Sequence, residues 1–478
     1  RKLAHIEMPE SEIELYGIDQ DINDRGTMVD VQLARNADAI YTEYLKRLNE
    51  KVKAKYGITS LKSSKQISAF IEERSGKFYE TINKNNINQI MEECNDKDVT
   101  RVLTARKIAY KTSIAKYAAM LNCLCKDGSA KGLYRFYGAN RTGRWAGRIV
   151  QQQNLPQNHL EELERVREDV KNMDLDELMM FYDNVPSILS QLIRTAFIAR
   201  DSYIFRVADF SAIEARLIAW EAGEEWVLDV FRTTGKIYET TAAKMFGIPV
   251  ETIVKGHPNY SYRQRGKVAT LALGYQGGVG AMRRMDTSGA LKDLPDEEIQ
   301  DMVNRWRQQN PKIVNLWRSM EDAARLAINN KRGWAVIPGV SFRMEASTTV
   351  PFPFLTMSLP SGRKLYYADP KITDDGHIHY REQTNAGWQD SETYGGKLTE
   401  NLTQAIGRDC LEFALDNLKA AGYKVVFHIH DEVVVEHGTE NPEADLQRIR
   451  TIMSQPAPWA EGLPLNAEGW VGQFFTKD

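Results

Sequence analysis

Apolar residues recur at every third or fourth position through VDVQLARNADAIYTEYLKRLNEKV at 29–52, and helical spacing continues to about residue 125, which predicts an all-helical unit over 31–125. AYKTSIAKYAAM at 109–120 shares the pattern. From 126 to 210 turn signals dominate, interrupted by one strand-like run, YIFRVAD at 203–209. Helical periodicity returns over 213–334. Residues 335–395 then change character: Pro338, Pro351, Pro353 and Pro360, many Gly, Thr and aromatics, and alternating runs such as RKLYYADP predict several strands joined by turns. LTENLTQAIGRDCLEFALDNLKAAG at 398–422 predicts a helix ending at Gly422. Two apolar runs, KVVFHI and VVVEH, flank His430, Asp431 and Glu432, which predicts a hairpin with acids at its tip. Neither an internal repeat nor a low-complexity tract is present.

At 478 residues the chain is long enough for two to four domains at roughly 100–200 residues each. With 42% hydrophobic and 27% charged residues it is not a disordered, collagenous or coiled-coil chain. No apolar run approaches the roughly 18 residues of a membrane span, and the first thirty residues lack signal-peptide order, so the expectation is a soluble cytoplasmic protein with no membrane partner. Arg1 in place of Met implies that the chain begins inside a longer reading frame or has lost its start. Cys94, Cys123, Cys125 and Cys410 make no C-x-x-C pair, which argues against a disulfide scaffold or a structural zinc site. The net charge of −3 hides an asymmetry: residues 101–148 hold eleven Lys and Arg against Asp127 alone. Such a block either meets a polyanion or is a solvated helix face, and charge alone does not choose.

Four segments carry candidate chemistry. In VADFSAIEARLIAW at 207–220 a strand delivers Asp209 to its end, and a helix with Glu214 follows; Ser211 and Glu214 also fit a capping box. In FHIHDEVVVE at 427–436 the acids are either an exposed hairpin tip or cation ligands. If the two strands are neighbours, Asp209 and Asp431 could hold two Mg²⁺ roughly 3.5–4 Å apart, which would activate a 3′-hydroxyl and stabilise departing pyrophosphate. In YRQRGKVATLALGYQGG at 262–278, Arg263, Lys267, Leu271 and Tyr275 recur every four residues along one helical face. That ladder suits a nucleoside triphosphate, with cations on phosphates, Leu271 against sugar or base and Tyr275 stacking; the plain alternative is a half-buried helix with snorkelling cations. YRFYGANRTGRWAGRIVQQQNLPQN at 134–158 mixes Arg, Gln, Asn, Gly and aromatics, as a nucleic-acid contact segment or an ordinary surface loop would.

In this order the four segments resemble the motif series of family A DNA polymerases, from about residue 10 to the C-terminus. VADFSAIEARLIAW is similar to motif A, R-x3-K-x3-L-x3-Y to motif B and HDE to motif C. TGR at 142–144 with QNLP at 153–156 resembles the primer-contact segment, and TQAIGRD at 403–409 the glutamine-bearing palm helix. IDQDINDRGTMVD at 18–30 and LPSGRKLYY at 359–367 resemble the phage branch. The resemblance implies an α+β right-hand architecture: palm 1–30, thumb 31–125, palm 126–215, fingers 216–335 and palm 336–478, the last with a strand-rich insertion at 335–395 before the motif C hairpin. It implies template-directed DNA synthesis by two-metal phosphoryl transfer, with primer-template DNA and dNTPs as partners, Mg²⁺ as the metal and Mn²⁺ as its substitute. It would place the chain in the host cytoplasm if phage-encoded and names no processivity partner.

Residue by residue, the resemblance makes Asp209 and Asp431 metal ligands, helped by the Phe210 carbonyl, with Glu432 nearby. Glu214 would exclude a ribose 2′-hydroxyl, Arg263 and Lys267 would hold the triphosphate, and Tyr275 would fill the templating pocket until the fingers close. Arg144, Gln153, Asn154, Gln404 and His430 would touch primer and template. Leu271 stands where well-known members have Phe or Tyr, Tyr238 where bacterial members have a phosphate-contacting His, and Gln276 where a Gly is familiar. D-x-E occurs only at Asp296/Glu298 and Asp390/Glu392, in an expected turn-like or helical context, which implies no proofreading exonuclease in this chain. The rival readings are a single-subunit RNA polymerase, which would not need Glu214, and a silent DNA-binding relative. His377 with His379, and His428 with His430, are read as packing or DNA contacts before a transition-metal site.

Overall fold

The computed structural model describes residues 9–347, 350–384 and 386–477. At its centre lies a four-stranded antiparallel sheet in the order Lys424–Ile429, Glu432–Gly438, Tyr203–Phe210, Ala467–Gly472. The β-branched and aromatic residues of these strands, Phe205, Val207, Val433, Val434, Val435 and Phe427, are fully buried. Behind the sheet run the helices Gly395–Ala420 and Pro442–Met453, and helix Glu10–Arg25 packs on the outer strand and on Gly395–Ala420. The first and last thirds of the chain thus meet in one core.

Helix Val31–Tyr56 starts on Asp30, whose side chain accepts from the Leu33 amide, and stops at Gly57 in the left-handed region. Its first half, through Leu33, Ala37 and Tyr41, belongs to the central core. Its far end, at Val52, joins a separate core with Leu61 from the following turn and Ile67, Ile71, Val99 and Leu103 from helices Ser64–Ser75 and Lys97–Ala109. One long helix therefore carries an outlying helical unit. A third core, including Met245, Val268, Leu273, Ile299, Trp306 and Trp317, holds together the helices between 237 and 330. The strand-rich segment is a six-stranded antiparallel meander over 334–393, lying on helix Pro311–Asn330 through residues such as Val340, Phe342 and Leu355.

Several expectations need correction. The segment 109–120 is not one helix: Lys97–Ala109 ends there, a turn follows, and Lys116–Asn122 starts afresh. Nor is the basic block one open face. Arg106 is buried and donates to the Leu61 and Ile82 carbonyls, Lys116 donates to the Val150 and Gln151 carbonyls, and Arg141 lies over the Tyr367 and Tyr380 rings. Long cationic side chains here satisfy buried carbonyls rather than forming a single surface. Residues 126–210 hold three unforeseen helices, Leu163–Asn172, Leu175–Phe181 and Val185–Gln191; a capping box of Asp174 with Glu177 marks the second. Asp390 and Glu392 lie on strand Gly387–Thr393, neither turn nor helix, and bond His379 (2.7 Å) and His377 (2.5 Å).

A buried ionic knot ties helix Glu10–Arg25 to Gly395–Ala420. Arg408, fully buried, bonds Glu12 and Glu412 at 2.6 Å each and Asp409 at 3.2 Å; Arg363 meets Asp409 at 2.8 Å. Nearby Trp145 donates to Asp19 (3.0 Å), which also accepts from Asn23. Removing Arg408 would leave Glu12 and Asp409 facing each other in a dry interior. Arg408→Met is predicted to lose about 3–5 kcal/mol in urea unfolding, whereas a loss below about 1 kcal/mol would show that the knot is solvated.

Candidate active site

Strand register builds the site. Asp209, next to last in Tyr203–Phe210, pairs with Glu432 on one side and Glu468 on the other. The Phe210 amide donates to the Asp431 carbonyl (3.1 Å), so Asp431 sits beside the end of the strand that bears Asp209. The tight turn is made by His430, at φ +53°. Glu432 is not at an exposed tip, as the hairpin reading allowed: it opens the return strand and is 2% exposed. Burial, then the charge of Asp209, pushes the Asp431 carboxyl up to about 8, and burial pushes Glu432 up to about 7.

No motif marks Lys477. Its ammonium lies 3.1 Å from Asp209 and 3.0 Å from Glu432. It is not a loose end, since the Lys477 amide donates to the Asn158 side chain and the Asn158 amide donates back to the Lys477 carbonyl. Burial depresses the pKa of Lys477, but Glu432 and Asp209 outweigh it and hold it above the ordinary value. A cation thus already occupies the space between two of the acids. Asp209 Oδ1 and Glu432 Oε1 are buried without hydrogen-bond partners. Among the described residues no three His, Cys, Asp or Glu side chains form a ready-made cage. Mg²⁺ does not need one, because it is held by one or two carboxylates, with substrate phosphates and water completing an octahedron. The hard oxygen donors here fit that ion.

The motif A helix, Ile213–Ala222, starts after Ala212 at φ +50° with no side-chain cap, so the capping-box reading of Ser211 and Glu214 fails. Glu214 instead accepts from the Tyr275 hydroxyl at 3.1 Å. Burial, then the charges of Glu214 and Glu221, holds the Tyr275 pKa well above its ordinary value. Helix Tyr262–Leu273 carries Arg263, Lys267 and Leu271, but Tyr275 lies two residues beyond its end, so the four-residue ladder breaks at its last rung. The break is anchored by Trp317, which donates to the Gly274 carbonyl (2.7 Å). Gln276, at φ +63°, accepts from the Gly396 amide (3.0 Å). A side chain at Gly396 would come within 2.5 Å of Gln276 Cβ, so glycine is what lets the palm-side helix abut this bend.

Arg263 Nε donates to Glu239 (2.7 Å) and its guanidinium lies 5.5 Å from the Tyr238 ring centroid. Lys267 and Leu271 are exposed on the following turns. Arg144, Gln153 and His430 line one cleft with Trp145, Arg408 and His428. Gln153 bridges the Gly147 amide and the Trp145 carbonyl, which fixes that loop. Asn154 and Gln404 do not line this cleft: Asn154 is exposed and the Gln404 amide donates to Glu400. Among the described residues neither histidine pair belongs to a group of three or more potential metal ligands; His428 is buried against Tyr134 and Trp145, and burial pushes its pKa down to about 3.

With a folded pKa above the unfolded one, Asp431 contributes stability that is complete below about pH 4 and is lost as pH rises through about 8. In chelator, Asp431→Asn should therefore come closest to wild type near pH 4 and gain on it as pH rises, melting several degrees higher by pH 8.5. A gap of the same size at both pH values would contradict burial of this acid.

The sequence model of DNA polymerase family A matches residues 31–329. The DNA polymerase of Bacillus phage SP02 is 44% identical over 484 residues, covering 100% of this chain and 72% of the phage protein. The thermostable DNA polymerase I of Thermus aquaticus is 25% identical over 297 residues, 61% of this chain and 29% of that protein. Among solved structures, the POL domain of Pol1 from M. smegmatis, in complex with DNA primer-template and dNTP, aligns with a TM-score of 0.64 at 16% identity, covering 96% of this chain and 69% of that one. The last likeness establishes the fold, a right hand with an antiparallel palm sheet and helical thumb and fingers, and the sequence matches establish that the chain belongs to DNA polymerase family A.

Proposed function

We propose that this protein extends a primer 3′-hydroxyl on a DNA template, using dNTPs and releasing pyrophosphate, with the palm built from about 1–30, 126–215 and 336–478, the thumb from 31–125 and the fingers from 216–335. The observation that carries the reading is the strand register that sets Asp209 against Glu432 and beside Asp431. Asp209 and Asp431, with the Phe210 carbonyl, would hold two Mg²⁺, which when bound supply Lewis-acid activation of the attacking hydroxyl and charge neutralisation at the leaving phosphates. Mn²⁺ fits the same oxygen donors.

The remaining work falls to the chain itself. Lys267 and Arg263 are one turn apart on the fingers helix and offer cations to the triphosphate. Glu239 occupies one edge of the Arg263 guanidinium and leaves the other nitrogens for phosphate oxygens. Tyr238 stacks on that guanidinium in the place of a phosphate-binding histidine. Glu214 presents a carboxylate where a ribose would carry its 2′-hydroxyl, which selects deoxynucleotides by exclusion. Tyr275, tied to Glu214, would yield the templating position as the fingers close. Arg144, Gln153 and His430, which line one small cavity, would contact the primer end, and Asn154 and Gln404 would be reached by DNA on either side. Glu432 orders the acids, and Lys477 neutralises them before metal arrives.

Single-nucleotide extension of a labelled primer with Mg²⁺ tests the reading. Wild type should add the templated dNTP and discriminate against its rNTP; Asp209→Ala should abolish addition while keeping DNA affinity. Arg144→Ala should weaken primer-template binding and reduce its salt slope by about 1. Tight DNA binding by wild type without incorporation would instead favour a silent DNA-binding protein.

A further inference from the structure

Two turns after Glu214 on the same face of the motif A helix stands a second acid, Glu221. It is 4% exposed, and one of its oxygens has no hydrogen-bond partner. Its other oxygen accepts from the Thr403 hydroxyl at 2.7 Å. Thr403, itself fully buried on helix Gly395–Ala420, lies close to Tyr275, and the Tyr275 hydroxyl donates to Glu214. Two carboxyls and two hydroxyls from three separate segments are therefore gathered where the fingers meet the palm.

Packing alone does not account for this cluster. A leucine at 221 beside a valine at 403 would fill a similar volume with no buried polar atom, and such replacements are commonly neutral or stabilising. A carboxyl with a bare oxygen in a dry joint is a cost the fold carries. Its neighbour is the residue pair that meets the sugar of the incoming nucleotide in the reading above. Burial pushes the Glu221 carboxyl up to about 8, so at neutral pH it holds a proton and adds no second charge beside Glu214.

We propose that Glu221 and Thr403 are positioning residues of the sugar gate: they fix the Tyr275 hydroxyl against Glu214 and so set how strictly the site rejects a ribonucleoside triphosphate. The inference rests on the polymerase reading. Thr403 also precedes Gln404 in sequence, so the same helix turn that steadies the gate carries a proposed DNA contact.

The test is the ratio of kcat/KM for a dNTP to that for the matching rNTP in wild type, Glu221→Leu, Glu221→Gln and Thr403→Val, with thermal melting alongside. Glu221→Leu and Thr403→Val should each lower the ratio about tenfold, as loss of a buried hydrogen bond allows, chiefly through a lower KM for the rNTP. Glu221→Gln, neutral and nearly isosteric, should stay within about threefold of wild type. A merely structural role would change the melting temperature or the active fraction and leave the ratio alone, and that result in Thr403→Val would overturn the proposal even if Glu221→Leu failed to fold. A wild-type protein that incorporates neither nucleotide would overturn the polymerase reading itself.

Discussion

The antiparallel register of Tyr203–Phe210 between Glu432–Gly438 and Ala467–Gly472 is the constraint on which the site depends. Because side chains alternate across a strand, a slip of one residue would turn Asp209 into the core and Ala208 or Phe210 toward the site. Val207 and Val434 on the acids' own face and Val433 and Val435 on the opposite one are all buried and hold that register, so the same residues that stabilise the sheet hold the acids together against their mutual repulsion. Burial first, and the charge of Asp209 after it, raises the pKa values of Asp431 and Glu432, and Lys477 opposes the shift. A cation-hungry centre is thus a consequence of hydrophobic packing beneath it.

The second requirement is a joint that can bend. The core around Met245, Val268 and Trp306 is separate from the central core, and the two meet where Tyr275, Gln276, Trp317, Gly395 and Gly396 come together. Helix Pro311–Asn330 spans both cores, with Trp317 in one and Leu316, Met320 and Ala324 in the other, so apolar packing and hydrogen bonds meet there. Such a joint suits an element that must swing over a nucleotide, and the Glu214–Tyr275 bond lies on it.

Much of this was legible in the sequence because it follows local periodicity. Alternation revealed the strands at 203–209 and 427–436, helical spacing the helices at 29–52 and 398–422, and the ordered motifs the acids and the Arg263–Lys267 pair. What was not legible depends on partners far apart in the chain. Lys477 comes 45 residues after Glu432, and its role exists only because Asn158 pins the tail beside the sheet. Arg408 reads as one more exposed cation until Glu12, 396 positions away, is brought against it. The charge block at 101–148 left two readings open because a count of cations does not say which of them are spent on carbonyls. Tyr275 fitted a four-residue repeat but lies past the helix end, where tertiary contact with Trp317 outweighs periodicity.

If Asp209 and Asp431 together hold the divalent cations, counting Mn²⁺ by electron paramagnetic resonance in complexes assembled with a dideoxy-terminated primer-template and the templated dNTP will show it. Two ions per wild-type complex and a loss in both Asp209→Asn and Asp431→Asn are expected. Equal Mn²⁺ occupancy in wild type and in both variants, with DNA and nucleotide still bound, would contradict it.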